Sequence, residues 1–549
     1  MWWLLIIEIA VTFVLMGLAS IHYIHMLQLE SYQLDGYMRH LGRTKSEWQG
    51  WTLLCGAVCL IAGVVLPLIV TSFFTGERSR ATIISHMIVM GFAVLFSVYN
   101  VVMEFRKPKK KPLVYTQRVK RLLAVHAGVQ AVLLALFMLV LSHEDESGLR
   151  VMYISPFAFM AAVPLLPLLS GKCAEPIENH INAGFFIAAQ DKLERRKDLI
   201  KIGITGSYGK TGTKFALATI LGEKYRVLTS ESSINTPMGL SKIINTHLSK
   251  EHQVFIAEMG ARHVGDITEL TQLVHPTVGL ITSVGPQHLE TFGSVSTVAK
   301  TKFELIQALP KDGFAVFASD GAWVDKMYEK ASCEKLKSGV GEGEYDMWAE
   351  DIEVGAFGSR FTLKDKDGGE MRCETRLLGR HNISNVVLCC LAAKRLGLTY
   401  EEIARGVSKI KPVEHRLELI PGELNVIDDA FNSNPVGAKE ALNVLKSFPG
   451  RHLIITPGMV EMGKDEDKYN YEFGRQIADC CDAAILVGPR HTKPIEQGLL
   501  KEGFDEGSIL SVSSLDEATK HIRDFVSAGD AVLFENDLPD NYTENGKGN

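Results

Sequence analysis

The stretch "GITGSYGKTGTK", beginning at Gly203, places Gly206, Gly209 and Gly212 around the adjacent Lys210 and Thr211. Glycines let backbone N–H groups approach phosphate oxygens, and a helix amino terminus favours anions. In that setting Lys210 reaches β- and γ-phosphates, and the Thr211 hydroxyl holds Mg2+. The spacing departs from the usual phosphate loop, which carries a glycine where this chain has Ile204. Two further residues fit the same chemistry. Glu258 ends the apolar run in "VFIAEMG", the end of a parallel strand that faces a ligand. A carboxylate there suits a second Mg2+ through oxygen ligation. His288, in "SVGPQHLETFG", follows another apolar run in the same way.

Such residues need a parallel sheet to bring them together. The runs "LIKIGIT", "VFIAEM", "VGLITSV" and "FAVFAS" alternate with helical patterns, the rhythm of strands crossed over by helices. Over 343–377 the pattern changes to short alternating strands joined by an Asp-Gly-Gly turn, followed by a helix from His381 to about Leu396. From about Arg416 the α/β rhythm restarts with "LNVIDDAF", "RHLIITPGM", "AAILVG" and "AVLFEN", which predicts a second, smaller α/β domain.

The first third is of another kind. Five apolar runs, near 2–23, 51–74, 83–102, 122–141 and 153–169, approach the length that crosses a bilayer. The loop "FRKPKKKPLVYTQRVKR" holds eight Lys and Arg, whereas "SHEDESGLR" is mainly acidic. The positive-inside bias then puts the first loop and everything after residue 171 in the cytoplasm. The fold class expected is an N-terminal α-helical transmembrane domain (1–170, about five helices) joined to α/β domains. The organisation continues with an amphipathic connector (171–199), a central ATP-binding domain (200–414), a carboxy-terminal domain (415–537) and a polar tail (538–549). The chain is expected to be a multi-pass protein of the bacterial plasma membrane. A net charge of -6 gives no reason to expect nucleic-acid binding, and the soluble cysteines form no CxxC pair, so they read as reduced structural thiols.

The ordered motifs "GSYGKT", "SSINTPMGL", "AEMGARHVGDI", "HLETFGSVSTVAKTKFELI", "LLGRHNISN", "HRLELI" and "DDAFNSNP" resemble the Mur ligase family, ATP-dependent amide ligases of cell-wall synthesis. The resemblance spans about 200–535 and is nearest the branch that adds D-alanyl-D-alanine. It implies that Lys210 and Thr211 handle ATP phosphates and one Mg2+, and that Glu258 and His288 are ligands of a second. Lys302, rather than the neighbouring Lys300, matches the lysine that the family carbamylates. Asn382 and Asn385 resemble the adenine-contacting pair and Arg416 the phosphate-contacting arginine. Asp429 resembles the acid on the ribose or metal side of the closing domain. The implied partners are a nucleotide- or lipid-linked wall precursor, an amine substrate and the lipid bilayer.

Three departures qualify that expectation. The spans stand where the branch has a soluble domain for uridine diphosphate. Gly458 stands where the branch has an Asp, and "FENDLPDNY" replaces a Lys-Gly-Ser-Arg type of segment. With Glu535, Asp537 and Asp540 there, a more cationic incoming amine is expected. The basic loop reads either as a topology signal resting on anionic lipid or as a guide for a pyrophosphate-linked lipid. The α/β part also admits two other readings. An amidating ligase fed by ammonia would carry a zinc ribbon, and a P-loop motor of a transporter or sensor would carry its own signature. Neither is present in this sequence.

Overall fold

In the computed structural model, the apolar run before the glycines forms a strand with neighbours on both sides. The structure describes residues 2–30, 32–43, 112–142, 156–431, 433–460, 462 and 465–537, with scattered helical positions at 87, 91, 94–95, 98–99 and 102. The expected span over 51–74, most of that over 83–102, the basic residues at 106–111, the acidic loop at 143–150 and the tail at 538–549 (with Asp540) lie outside the described residues. The chain divides into two units, 1–181 with 539–549, and 182–538.

The first unit contains α1 (Trp2–Leu29), α2 (Leu34–Arg43) and α3 (Gln117–Ser142), and the start of α4 (Leu166–Glu194). Segments of α1 and α3, Ile6–Leu29 and Gln117–Leu139, are long and apolar enough to cross a membrane. Among its described residues, the fifth apolar run forms no single helix of the length and composition that would cross a membrane. It gives a 3-10 turn, Pro156–Ala162, and then enters α4 at Leu166. Pro164 supplies no N–H to continue a helical ladder, which accounts for the break. The expected connector is therefore part of a longer helix that tolerates Pro176 inside it. At the start of α3, Arg121 forms a two-pronged pair with Glu178 at 2.6 and 2.8 Å, and Arg118 lies 4.0 Å above the Tyr32 ring.

The second unit holds two sheets. The larger contains β1 (Ile200–Thr205), β2 (Val227–Leu228), β3 (Val254–Glu258), β4 (Val278–Ile281), β5 (Phe314–Ala318), β6 (Glu334–Val340), β7 (Met347–Gly355), β8 (Gly358–Asp365) and β9 (Glu370–Thr375). Its order is β2-β3-β1-β4-β5-β6-β7-β8-β9, parallel as far as β7 and antiparallel beyond it. Alternation along the strands divides the core. In β3, Val254 and Ile256 join the core under α5 (Lys210–Leu221) and the helix Arg380–Arg395, whereas Phe255 and Ala257 face the opposite helical layer. Burial on both faces explains why these strands read as unbroken apolar runs.

The smaller sheet contains β10 (Glu418–Ile420), β11 (Asn425–Asp429), β12 (His452–Thr456), β13 (Ala483–Val487), β14 (Ile509–Val512) and β15 (Ala531–Glu535), in the order β10-β11-β15-β12-β13-β14. Only the β10–β11 pair is antiparallel among these strands. The seven cysteines among the described residues are free thiols.

Candidate active site

Register gathers the sequence candidates. β1 lies between β3 and β4, with Ile204 opposite Glu258 and Thr205 opposite Ile281. The glycine loop, Glu258 and the segment leading to His288 thus leave three adjacent strands at the same edge, the ligand side of a parallel sheet. His288 itself heads the short helix Leu289–Phe292 with a left-handed backbone, φ 50°.

The loop is held from its flank. Ser207 N–H donates to Ser283 O at 2.7 Å, Tyr208 N–H to Ser283 Oγ at 2.9 Å, and Thr282 Oγ1 to Tyr208 O at 2.6 Å. Tyr208 Oη donates to Pro286 O at 2.5 Å, tying the loop to the segment that carries His288. Two glycines are required here. A Cβ on Gly206 would collide with the Thr282 hydroxyl, and Gly209 has φ +78° with the Asn385 amide 2.6 Å from where a Cβ would stand. Gly206→Ala is therefore expected to cost about 1–3 kcal/mol of stability through overpacking, read as a lowered denaturation midpoint; an unchanged midpoint would show that the loop can move aside.

Around Glu258 the structure packs charge tightly. Thr211 Oγ1 donates to Glu258 Oε2 at 3.0 Å, Asn235 Nδ2 donates to Glu258 Oε1 at 3.1 Å, and Lys214 Nζ lies 3.5 Å from Glu258 Oε2. Lys214 and Glu258 are 0% and 1% exposed, so their charges face each other in a low-dielectric interior. Lys214 also donates to Ser230 Oγ at 2.8 Å and Ser232 O at 2.5 Å. Burial lowers its pKa, and the Glu258 carboxylate opposes that shift. A threonine hydroxyl beside a carboxylate is a hard oxygen donor set that fits Mg2+.

Lys210 Nζ bends back to Gly206 O at 2.7 Å and Ser207 O at 3.2 Å. Burial pulls its pKa down to about 8, with Glu258 opposing and Arg416 assisting. Lys302 is 2% exposed. Burial, and then the Lys210 ammonium, push its pKa well down, which disfavours the charged form.

Other candidates spread around this centre. Asn385 packs on Gly209, whereas Asn382 Nδ2 donates to Leu378 O at 2.8 Å. The Arg416 guanidinium lies 4.1 Å above the Phe431 ring and feels the charges of both Glu258 and Asp429. Asp429, at the end of β11, accepts from Leu417 N–H at 3.0 Å. Gly458 has φ +83° and stands 2.7 Å, at its would-be Cβ, from Asn470 Oδ1, so an Asp there would be strained as well as crowded.

Sequence reasoning missed Lys214, Asn235 and Tyr208. Lys214 follows Lys210 by four residues on a helix, a spacing that puts both on one face and was the available signal. Asn235 sat inside a noted motif, but nothing local marked its amide as the partner of a carboxylate on another strand.

Comparison with known proteins matches residues 204–393 to the Mur ligase middle domain and residues 415–535 to the Mur ligase glutamate ligase domain. The UDP-N-acetylmuramoyl-tripeptide--D-alanyl-D-alanine ligase of Bacillus subtilis is 29% identical over 393 residues, which cover 69% of this chain and 83% of that protein. Its Escherichia coli counterpart is 28% identical over 316 residues, 56% of this chain and 69% of that protein. Among solved structures, MurF from Acinetobacter baumannii has a TM-score of 0.59 at 25% identity, covering 65% of this chain and 77% of that one. MurF from Thermotoga maritima in complex with ADP shares the fold, with a TM-score of 0.58 at 23% identity over 65% and 80% of the two chains.

Proposed function

Because the chain belongs to the Mur ligase family of ATP-dependent ligases, we propose that it activates a carboxylate of a cell-wall precursor for amide formation with an amino acid or dipeptide amine. The observation that carries this reading is the first turns of α5, where Thr211 and Lys214 meet Glu258 at the end of β3 in a buried cluster, with Lys210 heading the same helix. A carboxylate resists amine attack because oxide is a poor leaving group. Transfer of the γ-phosphoryl group of ATP to it gives an acyl phosphate, and amine attack then expels phosphate. Lys210 and the loop N–H groups hold the phosphates in line. Mg2+ on the Thr211 hydroxyl and the Glu258 carboxylate would neutralise the clustered phosphate charge. Arg416, whose charge interacts with those of both Glu258 and Asp429, would link the nucleotide loop to the carboxy-terminal sheet.

Burial that disfavours the Lys302 ammonium suits this residue to carbamylation, in which the unprotonated amine form adds to CO2 and releases one proton. The resulting carbamate would restore a negative charge beside Lys210. Mass spectrometry of the native protein with and without bicarbonate checks this, and an unmodified Lys302 in fully active enzyme would overturn it.

The amine expected from the named relatives is D-alanyl-D-alanine, and the two apolar helices favour an acceptor met at a membrane surface. The test supplies purified protein with Mg-ATP, labelled D-Ala-D-Ala, and either a soluble uridine-diphosphate-linked tripeptide or a membrane lipid extract. Label entering the organic phase is the expected result. Label confined to the soluble product refutes the lipid-linked acceptor, and no label in either refutes D-Ala-D-Ala as the amine.

A further inference from the structure

Lys214 is fastened to more than the carboxylate it faces. It lies three residues beyond Thr211 on α5, so one helix face brings a hydroxyl and an ammonium to Glu258 Oε2. An ammonium has three N–H donors and no acceptor. Lys214 Nζ has three acceptors around it, Ser230 Oγ at 2.8 Å, Ser232 O at 2.5 Å and Glu258 Oε2 at 3.5 Å. The two shorter contacts go to the loop 229–236, which leaves β2 beside β3 and leads into the helix Pro237–His247. Ser230 is 2% exposed and donates its own hydrogen to Ser232 O at 2.9 Å.

The same loop holds the other carboxylate oxygen. Asn235 Nδ2 donates to Glu258 Oε1 at 3.1 Å, Gly260 N–H donates to Asn235 O at 3.2 Å, and Thr229 Oγ1 donates to Ile256 O at 3.2 Å. Thr229 and Asn235 thus bind the two ends of the loop to β3 and the residue just past it. Between them Glu231 and Ser232 are exposed, and the Lys214 ammonium reaches this middle from the buried side. Loop, lysine and carboxylate close a ring in which both Glu258 oxygens are fixed. Neutralising Glu258 does not by itself call for that ring, because the charges of Lys210 and Arg416 also act on it.

We propose that Lys214 is a positioning residue, which ties the loop 229–236 to Glu258 and so holds that carboxylate in place for Mg2+. A metal ligand already fixed by its own partners need not be ordered when the metal arrives, and partners of that kind tune affinity strongly. Lys214 acts through Glu258 and the loop, not on the nucleotide. This inference rests on the reading above that puts Mg2+ on Thr211 and Glu258, and it names what keeps the carboxylate ordered.

The test uses Ser230→Ala in the full chain, which cuts one strand of the tether and leaves the Lys214–Glu258 charge pair in place. Binding of the non-hydrolysable β,γ-methylene analogue of ATP is measured by calorimetry with Mg2+ and with EDTA. The expected result is that the affinity gained from Mg2+ falls about tenfold, the low end of the loss from removing a partner behind a metal ligand. Affinity in EDTA should be unchanged. Amide hydrogen exchange over 230–235 without nucleotide should quicken about fivefold, the worth of one lost hydrogen bond. A variant identical to wild type in both measurements overturns the tether and leaves Lys214 as a counter-ion alone. Equal losses of affinity with Mg2+ and with EDTA also overturn it, because they mark general loosening. So does a Ser230→Ala effect that persists in full in a Lys214→Met background, since the serine would then act by another route. Wild-type binding that is indifferent to Mg2+ overturns the metal-site reading itself, and the role of the tether with it.

Discussion

Lys210→Ala is expected to lower kcat/KM for ATP by about 10³-fold, in line with removing a preorganised positive donor from a transferring phosphoryl group. The structure gives the reason. Lys210 is the cation at the mouth of the glycine loop, and its Nζ rests on two backbone carbonyls, Gly206 O and Ser207 O, that a phosphate would displace as partners. The fold should not suffer, because the lysine is held in surroundings that lower its pKa to about 8 from 10.5. A cation disfavoured by its environment is not a source of stability near neutral pH.

The same depression sets a pH dependence. Phosphate binding favours the ammonium form, so affinity for ATP is full below about pH 8 and weakens as pH rises through that value. The decline should approach about tenfold per pH unit until the proton is lost from the bound state too. Measuring the KM for ATP from neutral to alkaline pH checks this. A flat profile in the wild type, or one that Lys210→Ala leaves unaltered, would refute the assignment.

Glu258→Ala should remove activity and also destabilise the protein by about 3–5 kcal/mol, the usual cost of stranding one member of a buried ion pair. Its loss leaves the fully buried Lys214 ammonium without its carboxylate, and it strips Thr211 Oγ1 and Asn235 Nδ2 of their acceptor. The control is a double variant, Glu258→Leu with Lys214→Met. Replacing a buried pair by apolar residues of similar volume is often neutral or better for stability, so most of the loss should return while activity stays absent. Denaturant unfolding followed alongside ADP release separates the two effects. If Glu258→Ala unfolds within about 1 kcal/mol of wild type, the pair is not buried as described, and the metal-side role of Glu258 loses its support.

Much of this site could be read before any coordinates. A strand covered on both faces must be apolar throughout, so "VFIAEMG" and "VGLITSV" announced themselves as runs, and the polar residue closing each run marked a strand end. The glycines around Lys210 were legible for a similar reason: close backbone approach and positive φ leave few other residue types. In the amino-terminal third the apolar run at 153–169 misled, because hydropathy counts methyl groups and not missing N–H donors. Pro164 ends what composition alone would have continued. The arginines at the end of the basic loop were equally opaque. Arg118 and Arg121 look like free cations in sequence, yet they meet Tyr32 and Glu178, residues 86 and 57 positions away.

By itself the sequence determined the local devices: the glycine loop, the strand-end acid Glu258, the buried-strand rhythm and the ordered motifs of the family. Each depends on residues a few positions apart or on a periodicity, and backbone sterics act at that range. Tertiary structure alone decided the partners. That Lys214 neutralises Glu258, that Lys302 is stripped of water beside Lys210, and that Glu535 stands against Asp429 all follow from strand order, register and the helices packed on the sheets. Such pairings depend on dielectric and distance across chain separations of 44 residues for Lys214 and Glu258 and 106 for Asp429 and Glu535. No local pattern encodes them.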